Sequence, residues 1–170
     1  LRRYGSHGHG GLAQSETNFS PAERPRKTRS TQLARTTRSN QLRKTEPNGV
    51  LFADQWNNLD NAKAHYESTG PEIWEQTQGK VDGFICSVGS GGTLAGVAMA
   101  LQGRGVKIGL ADPEGSALHS FYTEGELSAP GNSITEGIGQ GRITANLEGI
   151  TPDFSCRVPD DEPSRTPACR

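Results

Sequence analysis

The hydrophobic pattern is clearest in the middle of the chain. An apolar run at Val81–Val88, "VDGFICSV", leads into the glycine-rich stretch "GSGGT", and small apolar residues follow up to Gly103. A second apolar run follows at Val106–Pro113. The pattern predicts a buried strand, a helix over Thr93–Gly103 and a second strand. Such a βαβ unit of about 30 residues is typical of an α/β fold with a parallel sheet and helices on its faces.

Weaker patterns precede this unit. "VLFADQW" at Val50–Trp56 has the composition of a short strand, and the helix-forming residues after it end at Gly70. A second helix follows in "TGPEIWEQTQGK", with Thr69 as a possible cap, Pro71 in the first turn and Gly79 just past the end. These signals predict two separate helices between the first strand and Val81.

The pattern after Pro113 is less regular. "EGSALHSFYTEG" predicts a short helix and "SITEGIGQGRI" a glycine-rich loop, whereas beyond Phe154 the periodicity fades. The aromatic residues assigned to the core are Trp56, Trp74 and Phe84.

The first 43 residues have a different composition. They are rich in Arg, Ser, Thr, Gly and Pro and carry almost no periodic apolar residues, so they cannot offset the entropy of ordering. Residues 1–46 hold ten basic and three acidic residues, although the whole chain has a net charge of −1. We predict a disordered basic tail over residues 1–43. Non-specific nucleic-acid binding by this arm is the less favoured alternative, because the arm lacks interleaved aromatic residues.

Cysteine usage and hydropathy bear on location. Cys86, Cys156 and Cys169 are odd in number and unpatterned, and they predict a reducing compartment without a disulfide framework. Cys86 lies in an apolar run and is interpreted as a buried free thiol. No membrane span or signal peptide is recognisable, which favours a cytoplasmic protein. His7 and His9 in "HGHGG" are a poor metal site, since flexible glycines do not preorganise ligands.

The stretch "GSGGT" is the main chemical signal. At the start of a helix, N–H groups without internal partners and the positive end of the helix dipole attract anions, and glycine lets a phosphate approach the backbone. The dinucleotide fingerprint fails because Leu94 occupies its last glycine position, although Asp112 could imitate the ribose-binding acid. The P-loop pattern also fails, because no lysine follows the glycines. A monophosphate ester fits best, with a simple tight turn as the structural alternative.

Several motifs together carry a family resemblance. "STGPEIWEQTQGKVDGFICSVGSGGTLAGVA", "GLADPEGSAL" and "EGIGQG" resemble the cysteine synthase (O-acetylserine sulfhydrylase) family over about residues 42–161. This resemblance implies the pyridoxal-phosphate fold of the tryptophan synthase β-subunit type, a three-layer α/β structure with a parallel sheet, here present in part. The implied domains are a partial pyridoxal-phosphate-binding α/β domain at 44–161, with disordered tails at 1–43 and 162–170.

The resemblance also implies residue roles. The family's loop that cradles the cofactor 5′-phosphate matches Gly89, Ser90, Gly91, Gly92 and Thr93. Gly137 matches a glycine close to the cofactor ring, and Gln55 matches a glutamine that helps to hold the substrate carboxylate. Two structural alternatives stay open. Gln55 could be a polar residue at a strand end whose hydrogen bonds are satisfied within the protein, and Gly137 could be a turn glycine.

The resemblance covers only part of the family's machinery. The family replaces the β-substituent of O-acetylserine with sulfide and needs a Schiff-base lysine, which lies N-terminal to the matched region. None of the five lysines has the family's surroundings, so we expect no catalytic residue here and no activity from this chain alone. They are Lys27, Lys44, Lys63, Lys80 and Lys107.

These gaps favour the interpretation of a gene remnant flanked by unrelated sequence. Such a chain would be a non-catalytic phosphate-binding or interaction module. The partners expected from the resemblance are a small amino-acid substrate, a second copy of the chain or a full-length relative.

Overall fold

The computed structural model describes residues 29–129, 131, 135–160 and 168–169. The chain divides into two units, Leu1–Phe52 and Ala53–Arg170. The positions of His7, His9 and Lys27 lie outside the described residues. None of the described helices is long and apolar enough to cross a membrane.

The described part of the first unit is a helix, α1, at Arg29–Thr45. The sequence predicts disorder over residues 1–43, and the structure differs from this prediction at residues 29–43. The reason is local: α1 contains no Gly or Pro, and several of its residues are good helix formers. Basic Arg43 and Lys44 lie in its last turn, where they complement the helix dipole.

The strand predicted at Val50–Trp56 is wrong. The segment forms no strand, and it enters a turn in which the N–H of Asn57 donates to the Asp54 carbonyl oxygen at 2.9 Å. The Asn57 amide also donates to both carboxylate oxygens of Asp54 at 3.0 Å, and Asp54 has a φ of 41°. These side-chain bonds favour a turn over an extended strand.

The two helices predicted after this turn are one continuous helical segment. Helix α2 at Asp60–Ala64 leads through a π-helical turn at His65–Thr69 into α3 at Gly70–Gln76. The predicted cap is wrong, because Thr69 is helical (φ −59°, ψ −44°) and makes no side-chain capping bond. Gly79 lies past the helix end as predicted, with a φ of 72° and its N–H donating to the Trp74 carbonyl.

The sheet confirms the parallel α/β class. Strands β1 (Gly83–Cys86), β2 (Lys107–Pro113) and β3 (Phe154–Val158) are neighbours in parallel, and the short strand β4 (Ala168–Cys169) pairs antiparallel with β3. Helix α4 at Gly92–Leu101 connects β1 to β2, as the βαβ pattern predicts. Helix α5 at Leu118–Glu124 follows β2.

Strands β3 and β4 are absent from the sequence-based expectations. The sequence predicts fading periodicity beyond Phe154 and a disordered tail that includes residues 168–169, whereas both segments form strands. Cys156 and Cys169 face each other in the β3–β4 register and form a disulfide, whereas the sequence predicts no disulfide framework. Tertiary pairing brings these cysteines together, and no local pattern marks it.

The core lies between α4 and the sheet. Leu94, Val97 and Leu101 of α4 are fully buried against Ile108 and Leu110 of β2.

Strand β1 is less buried than predicted. Alternate residues of β1 are exposed, Ile85 by 49%, because β1 is an edge strand in the described sheet and only one of its faces meets α4. Trp74 and Phe84 pack against the core as predicted. Trp56 instead lies under the Arg142 guanidinium, 4.7 Å from the ring centre.

Candidate cofactor site

The loop after β1 lies at the carboxyl edge of the parallel sheet. Strand β1 ends at Cys86, and residues 87–91 lead directly into α4 at Gly92. Parallel α/β sheets bind their ligands at this edge, because the connecting loops converge there.

Gly91 immediately precedes α4 and has a backbone conformation that only glycine adopts easily. Its φ is 91°, and a Cβ at this position would lie 2.6 Å from Leu147 Cγ and 3.1 Å from Thr144 Oγ1. A Cβ at Gly92 would overlap the Asn61 side chain. The glycines therefore allow the loop to pack tightly against its neighbours.

The loop offers unused hydrogen-bond donors. Within the described part of the chain, none of the N–H groups of residues 89–94 donates to another protein group, and the first backbone bond of α4 runs from the Ala95 N–H to the Gly91 carbonyl. These donors and the α4 dipole form a cradle with the chemistry that a phosphate dianion requires.

Two hydroxyl groups lie beside these donors. Ser90 Oγ accepts a hydrogen bond from the Asn61 amide at 2.8 Å, which leaves its own proton available to a ligand. Thr93 Oγ1 lies 3.2 Å from His65 Nε2. The loop can therefore add two side-chain donors to its backbone donors.

A second loop approaches the first. Gly89 lies so close to the Gly137 carbonyl that a Cβ on Gly89 would overlap it, and the Gly139 N–H donates to the Val88 carbonyl at 2.9 Å. Gly137 is exposed, has a φ of 83° and has open space where a Cβ would lie. The structure thus brings the predicted residues of both loops together.

Gln55 is also tied to this site. Its carbonyl accepts bonds from the Asn61 amide at 2.8 Å and the Asn146 amide at 3.1 Å, while its side chain is exposed. Asn61 and Asn146 both contact Ser90 as well, Asn146 through the Ser90 carbonyl at 3.5 Å. The strand-end alternative for Gln55 is wrong, because no strand forms there.

Four residues of the site were missed in the sequence: Asn61, His65, Thr144 and Asn146. Asn146 is almost fully buried and bonds the Gln55 and Trp56 carbonyls and the Ala62 N–H. Thr144 donates to the Ser90 carbonyl at 2.8 Å. The only available signal was the presence of polar residues inside otherwise apolar or helical segments, and this signal does not specify partners 28 to 91 positions away.

Other ionisable residues lie apart from the loop. Lys80 precedes β1 and Lys107 begins β2, so both lie at the amino edge of the sheet, opposite the loop. Lys63 is exposed, and its Nζ lies 3.8 Å from Glu67 Oε1. Asp112, considered as a ribose-binding acid, is buried and accepts a bond from the His119 N–H at 2.8 Å at the start of α5. Burial raises the pKa of the Asp112 carboxyl.

Cys86 is a free thiol, as predicted, and is half-buried. Burial raises the pKa of this thiol to about 11, so it is protonated at neutral pH and unsuited to nucleophilic attack. The described residues hold no cluster of three or more His, Cys, Asp or Glu side chains that could bind a metal ion.

Comparison with solved structures supports the same fold. An O-acetylserine dependent cystathionine beta-synthase from Helicobacter pylori matches with a TM-score of 0.63 at 30% identity, over 75% of this chain and 40% of that one. A hydrogen sulfide-producing enzyme from Fusobacterium nucleatum matches with a TM-score of 0.64 at 32% identity, over 75% of this chain and 42% of that one.

Curated relatives point to the same group. Cysteine synthase 1 of Neurospora crassa is 53% identical over 104 residues, which are 58% of this chain and 28% of the relative. Cysteine synthase 1 of Emericella nidulans is 50% identical over 120 residues, 66% of this chain and 32% of the relative. The chain thus spans about a third of the length of these relatives, and the cysteine synthase resemblance is confirmed.

The family comparison extends further along the chain. Residues 22–162 match the family described as "Pyridoxal-phosphate dependent enzyme", whose cofactor is pyridoxal phosphate. The match begins at residue 22, N-terminal to the start of the resemblance at about residue 42. Because it covers well over half of the sequence, the chain belongs to the family of pyridoxal-phosphate dependent enzymes.

Proposed function

We propose that residues 44–161 form the phosphate-holding part of a cysteine synthase-like protein. In this proposal the N–H groups of residues 89–94, with the Ser90 and Thr93 hydroxyls, bind the 5′-phosphate of pyridoxal phosphate. The observation that carries it is the row of unpaired donors at the start of α4, within the described residues. When bound, the cofactor supplies an electron sink for the carbon skeleton of an amino acid.

The remaining residues of the site have positioning roles in this proposal. Gly137 lies against Gly89 without a side chain, which leaves space for the cofactor ring beside the phosphate. Gln55 is anchored through its carbonyl by Asn61 and Asn146, so its exposed amide is available to hold a substrate carboxylate. The amides of Asn61 and Asn146 thereby fix the spacing between the phosphate loop and the substrate residue.

The substrate class and reaction follow from the cysteine synthase relatives. We propose an O-acetylserine-like amino acid as substrate and β-replacement by sulfide as the reaction of the whole protein. The chain alone is proposed to be inactive, because Lys63, Lys80 and Lys107 lie away from the loop. Association with a full-length relative would bring a reacting lysine to the site.

A cytoplasmic location is the remaining part of the proposal. It is supported by the free Cys86 thiol, whereas the Cys156–Cys169 disulfide counts against a reducing compartment. The mass of the chain isolated from cells under alkylating conditions distinguishes the reduced pair from the disulfide.

The phosphate cradle is tested with ligands that cannot react with lysine. Titration calorimetry of the full chain compares pyridoxine 5′-phosphate with pyridoxine, with inorganic phosphate as competitor. We expect the phosphate ester to bind, inorganic phosphate to displace it and pyridoxine to bind far more weakly. Equal binding of pyridoxine 5′-phosphate and pyridoxine would overturn the proposal, because the phosphate group would then contribute nothing to the affinity.

Variants localise this binding to the loop. Thr93→Val removes one donor to a charged group, and we expect about tenfold weaker binding of pyridoxine 5′-phosphate. Thr123→Val is the matched control, since the Thr123 hydroxyl donates to the His119 carbonyl within α5.

A separate experiment tests the proposal that the chain alone is inactive. The chain is incubated with pyridoxal phosphate, reduced with borohydride and analysed by peptide mapping. Selective labelling of one lysine would contradict the proposed inactivity.

A further inference from the structure

His65 links the phosphate loop to the π-helical turn. Its Nδ1 lies 2.9 Å from Thr69 Oγ1 and its Nε2 lies 3.2 Å from Thr93 Oγ1. The imidazole ring is half-buried. Each of its two nitrogens lies within hydrogen-bond distance of a hydroxyl group. Neither the sequence patterns nor the predicted phosphate residues include this histidine.

The direction of these two bonds decides what the Thr93 hydroxyl can do. If His65 carries its proton on Nδ1, Thr93 must donate to Nε2, and the oxygen lone pairs are left for the ligand. If the proton is on Nε2, His65 donates to Thr93 Oγ1 and Thr69 donates to Nδ1. The Thr93 proton is then free to donate to an anion, and such a charge-assisted bond is stronger than a neutral one.

The fold holds His65 in reach of Thr93 through close helix packing. A Cβ on Gly96 of α4 would overlap the Ala62 carbonyl oxygen and His65 Cβ, and one on Gly70 would overlap the Ala100 methyl group. The backbones therefore approach closely on both sides of the π turn. Such turns recur at functional sites, where the extra residue in the turn redirects a side chain.

We propose that His65 is a positioning residue for the phosphate ligand. In the ligand-bound chain the His65 Nε2–H donates to Thr93 Oγ1 and the Thr69 hydroxyl donates to Nδ1, so the Thr93 hydroxyl proton is turned towards the phosphate. The inference rests on the proposed function, because it needs an anion at the start of α4. It assigns a role to His65 and Thr69 that acts entirely through Thr93.

Nitrogen NMR of the histidine rings in the full chain tests this role. Addition of pyridoxine 5′-phosphate should move the ring nitrogen signals of His65 towards those of the tautomer protonated on Nε2. The signals that disappear in the His65→Gln variant are assigned to His65. His119, whose Nδ1 lies 2.9 Å from Ser155 Oγ, is the internal reference and should not shift. A structural histidine would show no ligand-dependent tautomer change.

A double-mutant cycle tests whether His65 acts through Thr93. His65→Phe and Thr93→Val should each weaken pyridoxine 5′-phosphate binding about tenfold, and the double variant should be no weaker than Thr93→Val. His65→Gln keeps a donor near Nε2 and should recover most of the affinity. Thr69→Val should weaken binding, whereas Thr77→Val, which loses only bonds to carbonyls of its own helix, should not.

The outcomes separate this inference from the function on which it rests. If the unmodified chain does not bind pyridoxine 5′-phosphate, the proposed function fails and the role of His65 fails with it. If the chain binds the ligand but the two variants weaken binding additively, or the His65 signals do not move, only the positioning role is overturned. Coupled variants together with the tautomer shift support it.

Discussion

Replacement of Gly91 by alanine tests the packing of the phosphate loop. Gly91 has a φ of 91°, and an added Cβ would lie 2.6 Å from Leu147 Cγ and 2.8 Å from Cδ2. A left-handed conformation costs an L-residue about 1–2 kcal/mol. Overpacking against a buried side chain adds about 1–3 kcal/mol. We therefore expect Gly91→Ala to lower the free energy of unfolding by about 2–5 kcal/mol.

Gly105→Ala separates the two contributions. Gly105 has a similar φ of 85°, but nothing lies within 4 Å of a Cβ at this position. This control should lose only the conformational part, about 1–2 kcal/mol. The gain from restricting the unfolded chain is the same in both variants and cancels in their difference. The excess loss in Gly91→Ala therefore measures the contact with Leu147.

Urea unfolding followed by tryptophan fluorescence is the assay. Leu147→Ala alone should cost about 2–5 kcal/mol because Leu147 is buried. The double variant should lose less than the sum, since the methyl group added at position 91 enters the vacated space. Equal losses in Gly91→Ala and Gly105→Ala, or additive losses in the double variant, would refute this account of the loop.

Three further predictions concern single side chains. The Asp153 carboxylate accepts bonds from the Ile108 N–H and Lys107, which lower its pKa from 3.8 to about 2. Its stabilisation is present above pH 4 and is lost as the pH falls towards 2. The stability difference between the unmodified chain and Asp153→Asn should therefore shrink in acid unfolding, and a constant difference would contradict the assignment. Cys86 should react slowly with iodoacetamide at pH 7.5 and rapidly in urea, because burial raises its pKa to about 11; equal rates would be inconsistent with a buried thiol. Asn146→Ala should cost about 1–3 kcal/mol, because the buried Ala62 N–H loses its acceptor, and urea unfolding measures this loss. The exposed Asn57→Ala is its control, and equal losses would argue against the buried network.

Local signals were sufficient where an element depends on neighbouring residues. The β1–α4–β2 unit and the turn at Gly79 follow from apolar periodicity and glycine placement, and both are present in the structure. The same local signals failed at Val50–Trp56, because the Asp54 turn overrides strand propensity. They also failed at Thr69, where packing against the glycines of α4 continues the helix through a π turn.

The sequence by itself determined the α/β class and the glycine loop, since the strand, the "GSGGT" loop and the helix are formed by consecutive residues and depend on local preferences. Only the tertiary structure decided that Gly137 meets Gly89, that Asn61 and Asn146 join Gln55 to Ser90, and that His65 reaches Thr93. It also decided the β3–β4 pairing and its disulfide. These contacts join residues far apart in the chain, and their geometry depends on how closely helices and loops pack rather than on any local pattern.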